Sequence, residues 1–178
     1  MDFSLRNIPE EDYDVDLKLE STNTSFLYGE VEPIDILNIV EKLEPSDKLM
    51  LDIGSGCGKI VIYLALGLEI DIDGVELEPN RYQKSLNLLK KYQQENRVTF
   101  YNEDFKNVHF GKYDILYSCN LVFNEQDNMI LYQKILNEFK GYLLLFWPDK
   151  CLDEFFVVQY MVKTSWNPTQ YIYLYFIK

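Results

Sequence analysis

The sequence is poor in the residues that carry much hydrolytic and redox chemistry. One histidine, His109, and three scattered cysteines, Cys57, Cys119 and Cys151, occur among 178 residues. None stand at the close spacing that a zinc site needs, so no metal centre is expected. Odd, dispersed thiols suit a reduced, intracellular setting better than a disulfide-stapled one. Positive charge is also scarce: 17 Lys and Arg against 29 Asp and Glu give a formal charge of −12. Such a chain repels phosphate backbones and anionic membranes, and it carries no basic cluster of the nuclear-import kind. Its longest apolar run, Ile60 to Leu66, stops at Gly67 and Glu69, well short of the roughly 20 residues of a membrane span. The opening MDFSLRNIPEEDYD is acidic and lacks the apolar centre of a signal peptide. The expectation is a soluble intracellular protein, cytoplasmic or nuclear, with no grip on nucleic acid or membrane. Its acidity would attract a basic protein partner.

What is present is a regular alternation. Apolar residues make up 47% and aromatics 15%, enough for one ordered core. Residues 1–26 read as an acidic segment packed on the rest, with DVDLKL alternating like a short strand; 27–178 read as a single domain. EPIDILNIVEKL has Pro33 at a first-turn position and Ile36, Leu37, Val40 and Leu43 on one helical stripe. KLMLDI is a continuous apolar strand, and KIVIYLALG a short buried helix closed by Gly67. IDGVE is a second strand. PNRYQKSLNLLKKYQQ places Tyr82, Leu86, Leu89 and Tyr92 on one face of a helix. RVTFY and KYDILYS are strands, and EQDNMILYQKILNEF a helix with Leu131, Ile135 and Phe139 four apart. GYLLLFW is a fifth strand, and FFVVQYMV and YIYLYFI form a terminal pair. Strands alternating with helices predict an α/β fold: a mostly parallel sheet with helices on both faces and an antiparallel hairpin at its C-terminal edge.

The glycine loop LDIGSGCGK follows the first strand, where such sheets bind ligands. Glycines admit close backbone approach and positive φ, a device shared by nucleotide, dinucleotide and S-adenosylmethionine sites. A phosphate loop fails because Gly58-Lys59 is followed by Ile60. The spacing Gly54-x-Gly56-x-Gly58 is too tight for a dinucleotide fingerprint. Asp52 would repel a pyrophosphate but attract a sulfonium or an ammonium. Glu76 ends the second strand, suited to both ribose hydroxyls. Asp104 follows the third strand, able to accept from an adenine amine while Phe105 packs on the base. These residues point to S-adenosyl-L-methionine, with S-adenosyl-L-homocysteine as product, and the set resembles the Rossmann-like class I methyltransferases of seven strands.

After the fourth strand stands SCNLVF. It lacks the Asn/Asp-Pro-Pro-aromatic of base-amine methylation and the Pro-Cys of cytosine C5 chemistry. In order, FLYGEV, LDIGSGCGKIVI, GVELEP, NEDF, NLVF and TSWNPTQYIYL resemble the disruptor-of-telomeric-silencing family of protein and histone lysine N-methyltransferases, from about Leu27 to the C-terminus. That resemblance implies that Tyr28, Gly29 and Glu30 fold over the methyl donor. It implies that Asp52, Gly54, Gly56, Gly58, Glu76, Asp104, Phe105 and Asn120 bind the cofactor. Asn120 and Phe123 would border the lysine channel, Trp166 and Tyr171 would close its far wall, and the catalytic group would be Asn120, Tyr28, Phe123 and Tyr171. The chain departs from the family pattern at Val31, Lys59 and Cys119. No histidine is placed as a base, so a narrow aromatic channel would desolvate the lysine ammonium and let water take its proton. Transfer to RNA or a small molecule, and a catalytically silent cofactor-binding module, stay open as alternatives.

Overall fold

A computed structural model of the chain describes residues 31–178; the expected strand at DVDLKL, and the loop of Tyr28, Gly29 and Glu30, lie outside the described residues. Seven strands form one sheet: β1 Leu49–Ile53, β2 Asp71–Glu76, β3 Val98–Asn102, β4 Ile115–Ser118, β5 Gly141–Leu145, β6 Phe156–Val162 and β7 Gln170–Ile177. Their order is β3-β2-β1-β4-β5-β7-β6. The first five run parallel, β7 is antiparallel to β5, and β6 is antiparallel to β7 with a bulge at Phe156/Val158. The order reverses between β1 and β4, which puts the crevice for a ligand at the tip of β1.

Four helices cover the two faces: α1 Pro33–Glu41, α2 Lys59–Leu68, α3 Pro79–Tyr92 and α4 Glu125–Glu138. Side chains alternate across β1, so Met50 joins Ile36, Val40, Val61 and Ile62 on the face of α1 and α2. Leu51 and Ile53 join Leu116, Leu131 and Ile135 on the face of α4. Asp52 shares the parity of Met50 and so ends beneath the start of α2. Pro33 begins α1 as expected, and α3 and α4 carry side-chain caps. Glu78 accepts from the amides of Asn80 and Arg81 at 3.0 and 2.8 Å, and Asn124 Oδ1 accepts from Asp127 N at 2.8 Å.

One expectation is corrected. Gly67 does not close α2; the helix ends at Leu68, with Glu69 in the left-handed position at φ 55°. Gly67 is instead a contact point, since a Cβ there would lie 2.4 Å from Leu37 Cδ1 of α1. In α3 Tyr82, Leu86, Leu89 and Tyr92 pack half-buried against the core as expected, beside the buried Arg81, Ser85 and Leu88. No helix among the described residues is long and apolar enough to cross a membrane.

Candidate functional site

A cavity of about 580 Å³ opens at the tips of β1, β2 and β3, beside the segment that follows β4. Its floor is the turn between β1 and α2. Gly54, Gly56 and Gly58 all take positive φ, at 80°, 57° and 82°, which a side chain would strain. Only the first two line the cavity. Gly58 caps α2, and a Cβ there would meet Phe100 Cζ at 2.6 Å and Ser85 Cβ at 2.9 Å. Its place is a packing requirement of the fold.

The carboxylates stand at successive strand tips. Glu76 is 6% exposed; its Oε2 accepts from Gly56 N at 2.8 Å and its Oε1 from Glu78 N at 2.9 Å. Burial raises its pKa, the two amides and nearby Arg81 pull it back, and the balance stays raised. Asp52 is 3% exposed and makes no hydrogen bond or ion pair among the described residues. Burial first, and then Glu76, hold its carboxyl well above the usual range. Ser55 beside it has a buried hydroxyl with no partner among the described residues. Two buried acids and an orphaned hydroxyl in one cavity suit a ligand that brings a positive charge and hydrogen-bond donors.

The third tip carries Asp104 and Phe105. Asp104 Oδ1 accepts from Lys106 N at 3.0 Å, capping a 3-10 turn over Phe105–Asn107. Phe105 stacks on Phe123 with centroids 5.4 Å apart and planes inclined by 12°. The Phe123 ring also lies over Gly54, 3.5 Å from where a Cβ would be. An aromatic wall therefore runs from the third strand tip to the glycine loop. The opposite wall comes from Val31 and the turn between β6 and β7, with Ser165 and Trp166. Val31 pairs with Thr164 in an isolated antiparallel bridge, Glu32 N donates to Lys163 O at 3.0 Å, and Lys163 N donates to Asp35 Oδ2 at 2.8 Å. The start of α1 is thus stapled to that turn, which brings Trp166 to the cavity.

Asp52, Gly54, Gly56, Glu76, Asp104, Phe105, Phe123 and Trp166 are therefore brought together. Asn120 and Tyr171 are not. Asn120 is fully buried; its Oδ1 accepts from Phe146 N and Trp147 N at 3.1 and 2.9 Å. Its Nδ2 lies within hydrogen-bond distance of Asn128 Oδ1, Tyr132 Oη and Trp147 O. It joins the ends of β4 and β5 to α4 and has no capacity left for a substrate, which corrects its expected place at the lysine channel. Tyr171 sits in β7 opposite Met161 with its side chain outward, 44% exposed. It is not among the residues that line the cavity. His109 contacts Glu138 Oε2 at 3.1 Å on the surface.

Sequence reasoning missed Ser55, Leu77, Cys119, Leu121, Val122, Lys106 and Asp127, all of which line the cavity. Lys106 Nζ lies 2.5 Å from Asp127 Oδ1 and 3.6 Å from Asp104 Oδ2. The bond to Asp127 is the main cause of a raised Lys106 pKa. Burial and nearby Asp52 push the Cys119 thiol up to about 12, so it stays protonated and is no nucleophile. Nothing in the sequence joined Asp127, in the first turn of α4, to Lys106.

The family of the histone methylation protein DOT1 matches residues 13–141. Among solved structures, an RNA methyltransferase from Salinibacter ruber in complex with S-adenosyl-L-homocysteine aligns with a TM-score of 0.61 and 16% identity. That alignment covers 81% of this chain and 89% of that one. Magnesium protoporphyrin IX methyltransferase from Synechocystis PCC 6803 with bound S-adenosylmethionine aligns with a TM-score of 0.65 and 17% identity, over 80% and 78% of the chains. The cyclase SpnF aligns with a TM-score of 0.53 and 18% identity, over 62% and 43%. At these identities the structural likeness establishes the Rossmann-like architecture, a fold shared by different chemistries.

Proposed function

The chain belongs to the histone methylation protein DOT1 family, and from that premise we propose that it is an S-adenosylmethionine-dependent protein lysine N-methyltransferase, with histones among its candidate substrates. One observation carries the reading. Asp52, Glu76 and Asp104 stand at the tips of three adjacent parallel strands and face one cavity floored by Gly54 and Gly56. The donor set fits the cofactor. Asp52 and the glycine backbone suit its cationic amino-acid end, Glu76 its ribose diol, and Asp104 with Phe105 and Leu77 its base. Two structural relatives were solved with that cofactor or its product bound, which supports the same ligand here.

When bound, S-adenosylmethionine supplies an activated methyl: the amine nitrogen bonds to the methyl carbon, the carbon–sulfur bond breaks and S-adenosylhomocysteine leaves. The protein's part is binding, alignment and desolvation. Val31, Leu121, Val122, Phe123 and Trp166 give the cavity apolar lining. A lysine ammonium entering along them loses water, its pKa falls, and its proton passes to solvent without a protein base. Alignment of the amine with the methyl then supplies most of the acceleration. The acid-rich lining, with Asp52, Glu76, Glu103, Asp104 and Asp127 against Lys59, Arg81 and Lys106, favours a cationic substrate over a phosphate-bearing one.

The test is label transfer. The protein is incubated with radiolabelled S-adenosylmethionine and, separately, histones, nucleosomes, total cell protein, total RNA and a metabolite extract. The reading expects label in protein, on lysine by mass spectrometry, and lost in Asp104→Ala. Label confined to RNA or to a small molecule overturns the substrate class while keeping the cofactor. Cofactor binding with no transfer leaves a silent module.

A further inference from the structure

We propose that Asp127 is a positioning residue that draws the Lys106 ammonium to its own side of an ion pair shared with Asp104, and so leaves Asp104 able to accept from the 6-amino group of the cofactor's base. The proposal rests on the reading of the site given above. Two carboxylates compete for one ammonium. Lys106 Nζ is 2.5 Å from Asp127 Oδ1 and 3.6 Å from Asp104 Oδ2. Asp104 Oδ1 accepts from Lys106 N at 3.0 Å, while Oδ2 has only the longer ion-pair contact with Lys106 and is the oxygen more open to a ligand. A lysine ammonium and an exocyclic amine are both donors, and they compete for it.

Asp127 wins the competition because it is fixed from behind. Its amide donates to Asn124 Oδ1 at 2.8 Å, and Asn124 Nδ2 donates to its Oδ2 at 2.7 Å. It also stands in the first turn of α4, where the helix dipole favours a negative charge. The Lys106 ammonium also lies 5.8 Å from the centroid of Phe105. With Asp127 neutralised, Asp104 is the ion-pair partner that remains, and shortening that 3.6 Å contact to a full hydrogen bond would occupy the base's acceptor.

The two segments do not depend on this ion pair to stay together, because Phe105 and Phe123 stack across the same junction. The expected consequence of losing Asp127 is therefore a change in what is recognised, with the cavity wall kept. Asp127→Asn retains an oxygen able to face Asn124 and removes the charge that faces Lys106.

Calorimetry on the full chain tests this with two probes, S-adenosyl-L-homocysteine and S-inosyl-L-homocysteine, which carries an oxygen in place of the 6-amino group. The wild-type protein is expected to prefer the adenosyl compound by about tenfold to a hundredfold, the effect of one hydrogen bond to a charged acceptor. In Asp127→Asn the preference collapses towards unity, and in Lys106→Met/Asp127→Asn it returns, because no ammonium is left to occupy Asp104. A preference unchanged in Asp127→Asn, or still absent in the double variant, overturns the proposal alone. Failure of the wild-type protein to bind either probe overturns the cofactor reading and this proposal with it. Circular dichroism melts of each variant separate lost recognition from lost folding.

Discussion

Gly56 N donates to Glu76 Oε2 at 2.8 Å, and with Gly54 N and Ser55 N donating to Val75 O at 2.9 and 3.0 Å this bond joins the loop after β1 to the tip of β2. It makes the glycine turn and the ribose-type carboxylate a single unit, since moving either opens the other. The second oxygen of Glu76 is held by Glu78 N at 2.9 Å, so the carboxylate is oriented before any ligand arrives. Replacing it by Gln turns one acceptor into an NH₂ that must face a backbone donor. We expect Glu76→Gln to weaken S-adenosylhomocysteine binding by about tenfold to a hundredfold, as for loss of a charged hydrogen bond. Calorimetry reads the change directly, and binding within twofold of the wild-type protein would show that Glu76 is a loop brace alone.

Asp52 gives a prediction whose sign follows from its burial. Its folded-state pKa is raised, mainly by desolvation, so the native protein holds that proton more tightly than the unfolded chain does. The associated stability is present below the unfolded-state pKa and is lost as pH rises through the folded-state value. Glu76 is raised as well and acts in the same direction. Above that range the ligand-free protein carries a buried anion with no partner among the described residues. Asp52→Asn should therefore raise the ligand-free melting temperature at neutral pH and flatten its fall with pH. Each kcal/mol gained corresponds to about 2–4 °C in a domain of this size. The same change should abolish binding of a cationic cofactor, which in the wild-type protein should strengthen as pH rises. Differential scanning calorimetry across pH checks the first part; a lower melting point in Asp52→Asn would sink it.

Asn120 reverses the expectation drawn from the sequence. An asparagine at a strand end reads as a ligand group, yet its amide is spent on Phe146, Trp147, Asn128 and Tyr132. Asn120→Ala would leave several buried donors and acceptors unsatisfied, at about 1–3 kcal/mol each before relaxation. We expect a fall in melting temperature of about 5 °C or more, with cofactor affinity per folded molecule unchanged. A variant that melts like the wild-type protein but no longer transfers methyl would restore Asn120 to the chemistry.

The reason for that misreading is general to this fold. Strand and helix periods, the glycine turn, and acids at the ends of β1, β2 and β3 are local signals, and local signals carried the alternation of elements and the floor of the site. Contacts between segments distant in sequence left no such mark. Nothing in the sequence said that Gly67 serves Leu37 rather than a helix end, or that Asn120 turns to α4. Nor did it join Asp127 to Lys106. The face on which a side chain falls after a strand ends depends on the next few backbone angles, and a period of two no longer applies there.

The hairpin β6–β7 separates two aromatic residues that the sequence placed together. Trp166 lines the cavity from the turn, while Tyr171 points to solvent from β7 opposite Met161. The turn is fixed by Thr164 and Asn167, with Thr164 Oγ1 donating to Asn167 O at 2.7 Å and accepting from Asn167 N at 2.9 Å. Trp166 therefore reaches the cavity on a rigid support, and its own ring is 43% exposed, so removing it costs the core little. If the apolar wall desolvates the incoming amine, Trp166→Ala should raise KM for the methyl acceptor by about tenfold. Its affinity for S-adenosylhomocysteine should stay near that of the wild-type protein. Tyr171→Ala should change neither. Steady-state kinetics on a protein acceptor, with calorimetry for the cofactor product, distinguish the two rings. Equal losses of acceptor KM at both positions would mean that the substrate runs along the outer face of β7 rather than past the turn.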